Sequence, residues 1–193
     1  VGEKTANRIQ NFATQTRRPP GSAIKPLSVY APALEEGKIT WSSVYDDVPV
    51  NFGQDGKTAW PKNATNFYRG LTDIPYAVAH STNTVALRVL EDLGLRDSYR
   101  WAKERFHLDS LIDRRGESDC DVAALGLGQL HYGVTLCELT AAYTVFADAG
   151  VYHAPRSYYR VLDADGKVLL SRPDSGERVL SEANAAGMTK LLE

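Results

Sequence analysis

Apolar residues recur at intervals of three and four along much of the chain, the spacing that gives a helix one buried face. The segments with this pattern are 76–79, 85–93, 99–106, 136–146 and 181–193. Gly94 and Gly150 follow two of them as stop signals, and Asp97 and Ser181 are placed to cap the start of two others. The pattern predicts a mainly α protein.

β structure is predicted at one place. Apolar residues at 161–162 and 168–170 flank a polar turn that ends in Asp165-Gly166. Such a turn between two apolar runs is typical of a hairpin, so we expect a β-hairpin within residues 156–172. No other run has the composition of a central strand of a large sheet.

One long segment, 46–75, lacks either period. It carries prolines and glycines among asparagines and aspartates, namely Pro49, Gly53, Gly56, Pro61, Gly70 and Pro75. Irregular segments of this length in compact domains are usually functional or mobile. We therefore predict a flap that lies over one face of the protein.

The start of the chain is polar, and a Pro-Pro-Gly break separates it from Ser22. We expect a lead-in loop over residues 1–21, followed by a helix from Ser22 towards Leu34 that Gly37 ends. The helical part as a whole is predicted to span residues 22–155.

Charge and length exclude several classes of protein. The 193 residues include 22 Lys and Arg against 24 Asp and Glu, a net charge of −2, which offers no basic footprint for nucleic acid or an anionic membrane. No run approaches the roughly 18 consecutive apolar residues of a membrane span. Because the chain starts at Val1 and ends in a helical pattern without a stop signal, we expect a soluble piece of a longer protein.

The spacing of the cysteines and histidines does not favour metal or redox chemistry. Cys120 and Cys137 are too isolated for a zinc site or a redox pair, and they either form a disulfide or remain thiols. The four histidines have no ligand-like spacing, so we expect no metal and no other cofactor. The glycines at 126, 128 and 133 narrowly miss dinucleotide and phosphate loops and instead predict a turn before a buried helix.

A nucleophile and a base lie close together at the predicted helix start. In Ser22-Ala23-Ile24-Lys25 the serine hydroxyl and the lysine amine share one helix face. A lysine whose pKa is depressed can accept the proton that a serine must lose. Pro26 has no N–H to bond back to the Ser22 carbonyl, so other contacts must hold this turn. A serine that only caps the helix is the alternative interpretation.

A second polar element, Ser81-Thr82-Asn83, interrupts an apolar helical segment. Ser81 could move a proton between Lys25 and a leaving group, and the Asn83 amide can both donate to and accept from a peptide bond. Alternatively, Ser81 caps the following helix and Asn83 is solvated.

Together, these elements resemble the transpeptidase domain of penicillin-binding proteins, particularly the class A enzymes of Gram-positive bacteria. Ser-x-x-Lys and Ser-x-Asn, in this order and roughly sixty residues apart, belong to the motif set of that family. Residues 18–27, 80–86 and 124–152 are similar to the family's nucleophile segment, its second motif and the long signature that follows. Asn63-Ala64-Thr65, a glycosylation sequon, has no meaning in a bacterium.

The resemblance implies a serine acyl-transfer mechanism. Ser22 would attack the penultimate D-Ala carbonyl of a peptidoglycan stem peptide, with its own backbone N–H in the oxyanion hole. Lys25 would be the base, Ser81 a proton relay, and Asn83 a contact to the substrate amide and to Lys25. β-Lactam antibiotics would acylate Ser22 because they resemble the D-Ala-D-Ala end of the stem peptide.

One departure concerns the family's third motif, since Lys-Thr-Gly occurs nowhere in the sequence. The resemblance therefore implies the helical subdomain of the serine β-lactamase and D,D-peptidase fold, truncated at both ends. The central sheet would be largely missing, and the helix at 181–193 would lead to the missing strand. Such a fragment is expected to be inactive alone, while its parent acts at the outer face of the cell membrane.

Other functions share the fold. A D,D-carboxypeptidase or a β-lactamase would use water in place of the acceptor amine, and slow deacylation of a penicillin adduct would argue against a lactamase. A non-catalytic β-lactam sensor or structural domain is a further alternative, for which Ser22→Ala would leave the biological role intact.

Overall fold

The computed structural model describes residues 10–52 and 58–193. Its α-helices are α1 (Phe12–Gln15), α2 (Ala31–Glu35), α3 (Ile74–Ala79), α4 (Asn83–Leu93), α5 (Leu95–Arg100), α6 (Val122–Leu127), α7 (Leu136–Ala147) and α8 (Glu182–Leu192). The periodic segments at 85–93, 136–146 and 181–193 are thus confirmed as helices. Ser181 caps α8 as expected, with its side chain accepting from Asn184 N–H.

Strands in the described residues are short and occur in antiparallel pairs. They are β1 (Arg17–Arg18), β2 (Val44–Asp47), β3 (Asn51–Phe52), β4 (Ala59–Trp60), β5 (Gly70–Asp73), β6 (Asp113–Arg114), β7 (Glu117–Ser118), β8 (Val134–Thr135), β9 (Val151–Tyr152), β10 (Arg160–Leu162), β11 (Val168–Ser171) and β12 (Glu177–Arg178). The pairs are β1–β8, β2–β5, β3–β4, β6–β7, β9–β12 and β10–β11. β10 and β11 confirm the predicted hairpin.

Two segments predicted to lack regular structure contain short elements. The lead-in loop includes α1 and β1, and Arg17 pairs with Thr135 across the β1–β8 ladder. The segment 46–75 begins within β2 and returns through β5, with Asp47 opposite Gly70; its residues 53–57 lie outside the described part. Strands this short show too few alternations for a sequence pattern to reveal them.

The core lies where α4 meets α2, α6 and the segment that follows Ser22. α4 contributes a nearly continuous apolar face, and its buried members are Val85, Ala86, Leu87, Val89, Leu90 and Leu93. Since the segment after Ser22 runs through this core, the position of Lys25 is set by close packing on several sides.

The helix predicted from Ser22 to Leu34 is helical throughout but not a regular α-helix. It comprises a 3₁₀ turn (Gly21–Ile24), a π-helical turn (Pro26–Tyr30) and then α2. Pro26 cannot donate to the Ser22 carbonyl, which accepts from Lys25 N–H instead. Pro32 leaves the Ser28 carbonyl free in the same way, and Ser98 Oγ donates to it at 2.6 Å. The two prolines therefore explain the irregular winding.

The predicted capping function of Asp97 is wrong. Gly94 takes a positive φ of 92° and lets α5 begin at Leu95, directly after α4, so Asp97 lies inside the first turn of α5. Among the described residues, no helix has the length and apolar character needed to cross a membrane.

Candidate active site

Lys25 is the buried centre of the site. Its side chain is 2% exposed, and Nζ donates to Ser81 O at 2.8 Å, Ser81 Oγ at 3.0 Å and Asn83 Oδ1 at 2.6 Å. An ammonium group carries three N–H donors, so every donor faces an acceptor. The structure thereby brings together three of the four predicted site residues, from two segments distant in sequence.

The environment of Lys25 makes its neutral, proton-accepting form more abundant at neutral pH than that of a free lysine. Burial lowers the pKa of its amine from 10.5 to about 8, because removal from water disfavours the charged form. At pH 7 about a tenth of the molecules therefore carry a neutral amine that can accept a proton.

Ser22 lies beside this cluster, at the surface. Its side chain is exposed, and its backbone carbonyl accepts from Lys25 N–H within the 3₁₀ turn. Across the described ranges, Ser22 Oγ has no hydrogen-bond partner, so the link between Ser22 and Lys25 runs through the backbone. Catalytic hydrogen bonds are often long before substrate binds, and this geometry leaves the hydroxyl free to meet a ligand.

The turn that holds Ser22 is fixed by contacts from elsewhere in the chain. Tyr143, on α7, donates its hydroxyl to Ala23 O at 2.8 Å, and burial raises the pKa of Tyr143 to about 12, which keeps the hydroxyl protonated. Ser28 Oγ contacts both Ile24 O and Leu125 O, at 3.0 and 2.7 Å. These bonds hold the turn between Ala23 and Ser28, in addition to the bond from Lys25 N–H to Ser22 O.

Two glycines allow a second segment to approach this turn closely. A Cβ on Gly128 would lie 2.0 Å from Gly21 O, and one on Gly133 would lie 2.0 Å from the Arg18 carbonyl carbon. Both glycines also have positive φ, at 74° and 79°. The predicted glycine-bearing turn is therefore confirmed, and it packs against the backbone directly before Ser22.

Ser81 adopts a backbone conformation that is rare for serine. Helix α3 ends in a Schellman motif, in which Ser81 N–H bonds to Val78 O and Thr82 N–H bonds to Ala77 O. The motif requires a left-handed residue, and Ser81 has a φ of 51°. Glycine usually fills this position, so the serine hydroxyl is held beside Lys25 at some cost in backbone strain.

We expect that strain to be measurable. Ser81→Gly and Ser81→Ala both remove the hydroxyl, but only glycine adopts positive φ without a steric penalty. Ser81→Gly should therefore be more stable than Ser81→Ala by about 1 kcal/mol, as measured by urea unfolding. Equal stability of the two variants would show that the backbone at residue 81 is relaxed.

Asn83 is held at both ends of its side-chain amide. Its Oδ1 accepts from Lys25 and its Nδ2 donates to Lys62 O at 2.7 Å. Its backbone N–H, the first of α4, donates to Asn63 Oδ1 at 2.9 Å. Asn83 is therefore ordered by the protein, in contrast to the alternative of a solvated side chain.

Sequence reasoning missed Asp47 and Asn63, which lie behind Asn83. Both side chains are buried, at 3% and 7% exposure, and Asn63 Nδ2 donates to Asp47 Oδ1 at 2.7 Å. The sequence signal at Asn63 was a glycosylation sequon, yet a residue this buried cannot carry a glycan. The one other indication in the sequence is that Asn63 is a polar residue shortly after Pro61 in a long irregular segment.

Cys120 and Cys137 are both free thiols. Residues 10–52 and 58–193 contain no group of three potential metal-binding side chains.

A buried lysine that joins a serine and an asparagine, one turn from an exposed serine, brings a candidate base near a candidate nucleophile. Comparison with known families identifies the family. The family model described as the penicillin binding protein transpeptidase domain matches residues 2–193. The chain therefore belongs to the penicillin-binding protein transpeptidase family, in which β-lactams and peptidoglycan stem peptides are ligands.

Individual relatives support the assignment. The chain is 36% identical to penicillin-binding protein 1A of Clostridium tetani over 193 residues, covering 95% of this chain and 24% of the relative. It is 36% identical to penicillin-binding protein 1A of Clostridium botulinum, covering 85% of the chain and 20% of the relative. The chain thus spans about a quarter or less of these curated relatives.

Solved structures show the same fold. The crystal structure of penicillin-binding protein 1A from Haemophilus influenzae matches with a TM-score of 0.68 and 29% identity, over 86% of this chain and 23% of that one. Penicillin-binding protein 3 from Mycobacterium tuberculosis, complexed with aztreonam, matches with a TM-score of 0.76 and 22% identity, over 96% and 43%. The described arrangement of helices is therefore that of the penicillin-binding fold.

Proposed function

We propose that the protein is a serine-type D,D-transpeptidase that cross-links peptidoglycan stem peptides through an acyl-enzyme on Ser22. The observation that carries the proposal is the matched set of donors and acceptors around Lys25. It supplies a base with a depressed pKa one turn from an exposed serine. Membership of the transpeptidase family supports the choice of reaction and substrate.

The first half of the proposed reaction forms the acyl-enzyme. Ser22 Oγ attacks the carbonyl carbon of the penultimate D-Ala while its proton passes to the neutral amine of Lys25. The bond to the terminal D-Ala nitrogen then breaks, and the leaving amine takes a proton through Ser81 Oγ, which lies 3.0 Å from Lys25 Nζ. In this proposal Ser81 is a proton relay between base and leaving group.

The second half transfers the acyl group. An amine of a neighbouring stem peptide attacks the ester carbonyl of the acyl-enzyme and loses a proton to the Lys25 and Ser81 pair. A new amide bond forms and Ser22 Oγ regains its proton, so the site returns to its starting state. A β-lactam follows the first half alone, because its ring opens on Ser22 and its amine stays attached.

Two groups are proposed to bind the substrate. Ser22 N–H lies in the first turn of a short helix, where backbone N–H groups lack intrahelical partners, and it would donate to the developing oxyanion. Asn83 Nδ2 has a second hydrogen besides the one that contacts Lys62 O, and it would donate to the amide of the stem peptide. We further propose that the protein acts at the outer face of the bacterial cell membrane, where this substrate occurs.

The direct test is labelling with a fluorescent penicillin, followed by mass analysis of the adduct. In the full-length protein we expect one adduct per molecule, on the peptide that contains Ser22. The 193 residues alone, whose sequence contains no Lys-Thr-Gly motif, should be labelled slowly. An adduct on Ser81, or no adduct on the folded full-length protein, would contradict the proposed mechanism.

A further inference from the structure

A series of hydrogen bonds connects Lys25 to the buried carboxylate of Asp47 on β2. Asp47, the last residue of β2, accepts from Asn63 Nδ2 at 2.7 Å. Asn63 Oδ1 accepts from Asn83 N–H at 2.9 Å, and Asn83 Oδ1 accepts from Lys25 at 2.6 Å. This series of hydrogen bonds runs from β2, through the loop after β4, to the start of α4.

The polarity of this series of hydrogen bonds fixes each side-chain amide in one orientation. An ionised carboxylate can only accept, so the group of Asn63 that faces Asp47 must be NH₂, and its oxygen must face the Asn83 N–H. Asn83 is fixed in the same way, because an ammonium can only donate and the Lys62 carbonyl can only accept. An acceptor-only group at residue 47 therefore determines how Asn63 and the first residue of α4 are held.

Asn63 and Asp47 together bind the start of α4. Thr82 precedes the helix but forms no side-chain cap, and Asn63 takes that place from a distant loop. Asp47 Oδ1 accepts in addition from Thr84 Oγ1, in the first turn of α4, and Asp47 Oδ2 accepts from Arg69 N–H at 2.8 Å. A carboxylate near the positive end of a helix is favourable, so Asp47 ties α4 to the loop that returns through β5.

We propose that Asp47 is a positioning residue for acylation, acting through Asn63 on Asn83 and so on Lys25. Rigid support behind a reacting group matters because a displacement of about 1 Å can slow a reaction about 100-fold. This inference rests on the proposed function, in which Lys25 accepts the proton of Ser22.

Asp47→Asn tests the inference with almost no change in size. Whichever way the new amide turns, its NH₂ faces either the Asn63 NH₂ or the Arg69 N–H, so one donor loses its acceptor. We expect the rate constant for acylation by a fluorescent penicillin, per active molecule, to fall by about 10- to 100-fold. Amide exchange at Asn83 N–H should become faster at the same time. Asp46→Asn is the matched control, because Asp46 is the exposed neighbour on β2, and it should acylate like the wild type.

A rescue variant separates positioning from general stability. In Asp47→Asn/Asn63→Asp the donor and acceptor exchange places, so the bond between the two residues and the acceptor for Asn83 N–H are both restored. The bond from Asn63 Nδ2 to Phe67 O at 3.0 Å is lost, so the rescue is expected to be partial. Acylation should recover at least about threefold over Asp47→Asn, as expected when a directional hydrogen bond is re-formed. Should Asp47→Asn not fold, Asn63→Ala interrupts the same series of hydrogen bonds within the loop and should show the same 10- to 100-fold loss.

The outcomes distinguish the inference from the proposed function. If wild-type protein acylates at Ser22, and Asp47→Asn or Asn63→Ala does so equally fast per active molecule with only a lower melting temperature, Asp47 is merely structural and the inference fails. If the folded wild-type protein itself forms no adduct at Ser22, the proposed function fails and the inference falls with it.

Discussion

Lys25→Met is expected to slow acylation of Ser22 about 10²- to 10⁴-fold, the usual contribution of a general base. Methionine has a similar length and fills the buried space, but it cannot accept a proton. The rate constant for labelling by a fluorescent penicillin in the full-length protein measures the effect. A variant that is labelled at the wild-type rate would remove Lys25 from the mechanism.

The pH profile of the same reaction tests the proposed role independently. Since the pKa of Lys25 is lowered to about 8, the neutral amine becomes the main form only above that pH. Acylation by the wild type should therefore rise as the pH approaches 8 and level off above it, whereas Lys25→Met should lack this rise. Lys25→Arg, which stays charged at every accessible pH, should be as slow as Lys25→Met.

Lys25→Met should also change how the free energy of unfolding depends on pH. The folded pKa of Lys25 lies below the value of 10.5 for a free lysine, so the unfolded chain binds a proton more tightly and the charged lysine destabilises the fold below pH 8. Between pH 7 and pH 10.5 the wild type should therefore gain up to about 3 kcal/mol of stability relative to Lys25→Met, in which this titration is absent. Urea unfolding at several pH values measures the gain, which should occur mainly between pH 8 and 10.5.

Gly128→Ala is expected to be the second damaging substitution, because it affects both the fold and the nucleophile. A Cβ would lie 2.0 Å from Gly21 O, so the backbone before Ser22 must move. The left-handed backbone and this clash together should cost about 3 kcal/mol, measured by urea unfolding. Acylation per folded molecule should also fall, since Ser22 directly follows the displaced residue.

Gly37→Ala is the matched control for that variant. Gly37 also has a positive φ, of 65°, but a Cβ there would meet no atom within 4 Å. It should therefore cost about 1 kcal/mol for the backbone alone and leave acylation unchanged. If both variants lose the same free energy of unfolding, the close approach of Gly128 to Gly21 does not contribute to stability.

The sequence predicted those features that depend on local pattern. The apolar periods of α4 and α7 identify buried helices, and the Asp-Gly turn identifies the β10–β11 hairpin. Ser22, Lys25, Ser81 and Asn83 were found because their motifs are short and contiguous, and the meeting of three of them at Lys25 agrees with their selection. Their catalytic roles remain predictions that the labelling experiments test.

Features that depend on contacts between distant segments could not be predicted. Asp47 and Asn63 are ordinary polar residues in a glycine- and proline-rich stretch, and their surroundings depend on partners distant in sequence, such as β5 for Asp47 and Asn83 for Asn63. The 3₁₀ and π turns after Gly21 also involve residues far along the chain, because Ser98 Oγ donates to the Ser28 carbonyl that Pro32 leaves free and Tyr143 donates to Ala23 O. Local propensity contains no information about these partners.

The left-handed backbone at Ser81 restricts which residues evolution can place there. Threonine would keep the hydroxyl, but a β-branched side chain is disfavoured at positive φ. Glycine and asparagine suit the backbone but lack a hydroxyl. Serine combines a hydroxyl with an unbranched side chain, so the Schellman turn and the proposed proton relay beside Lys25 both favour serine over these alternatives.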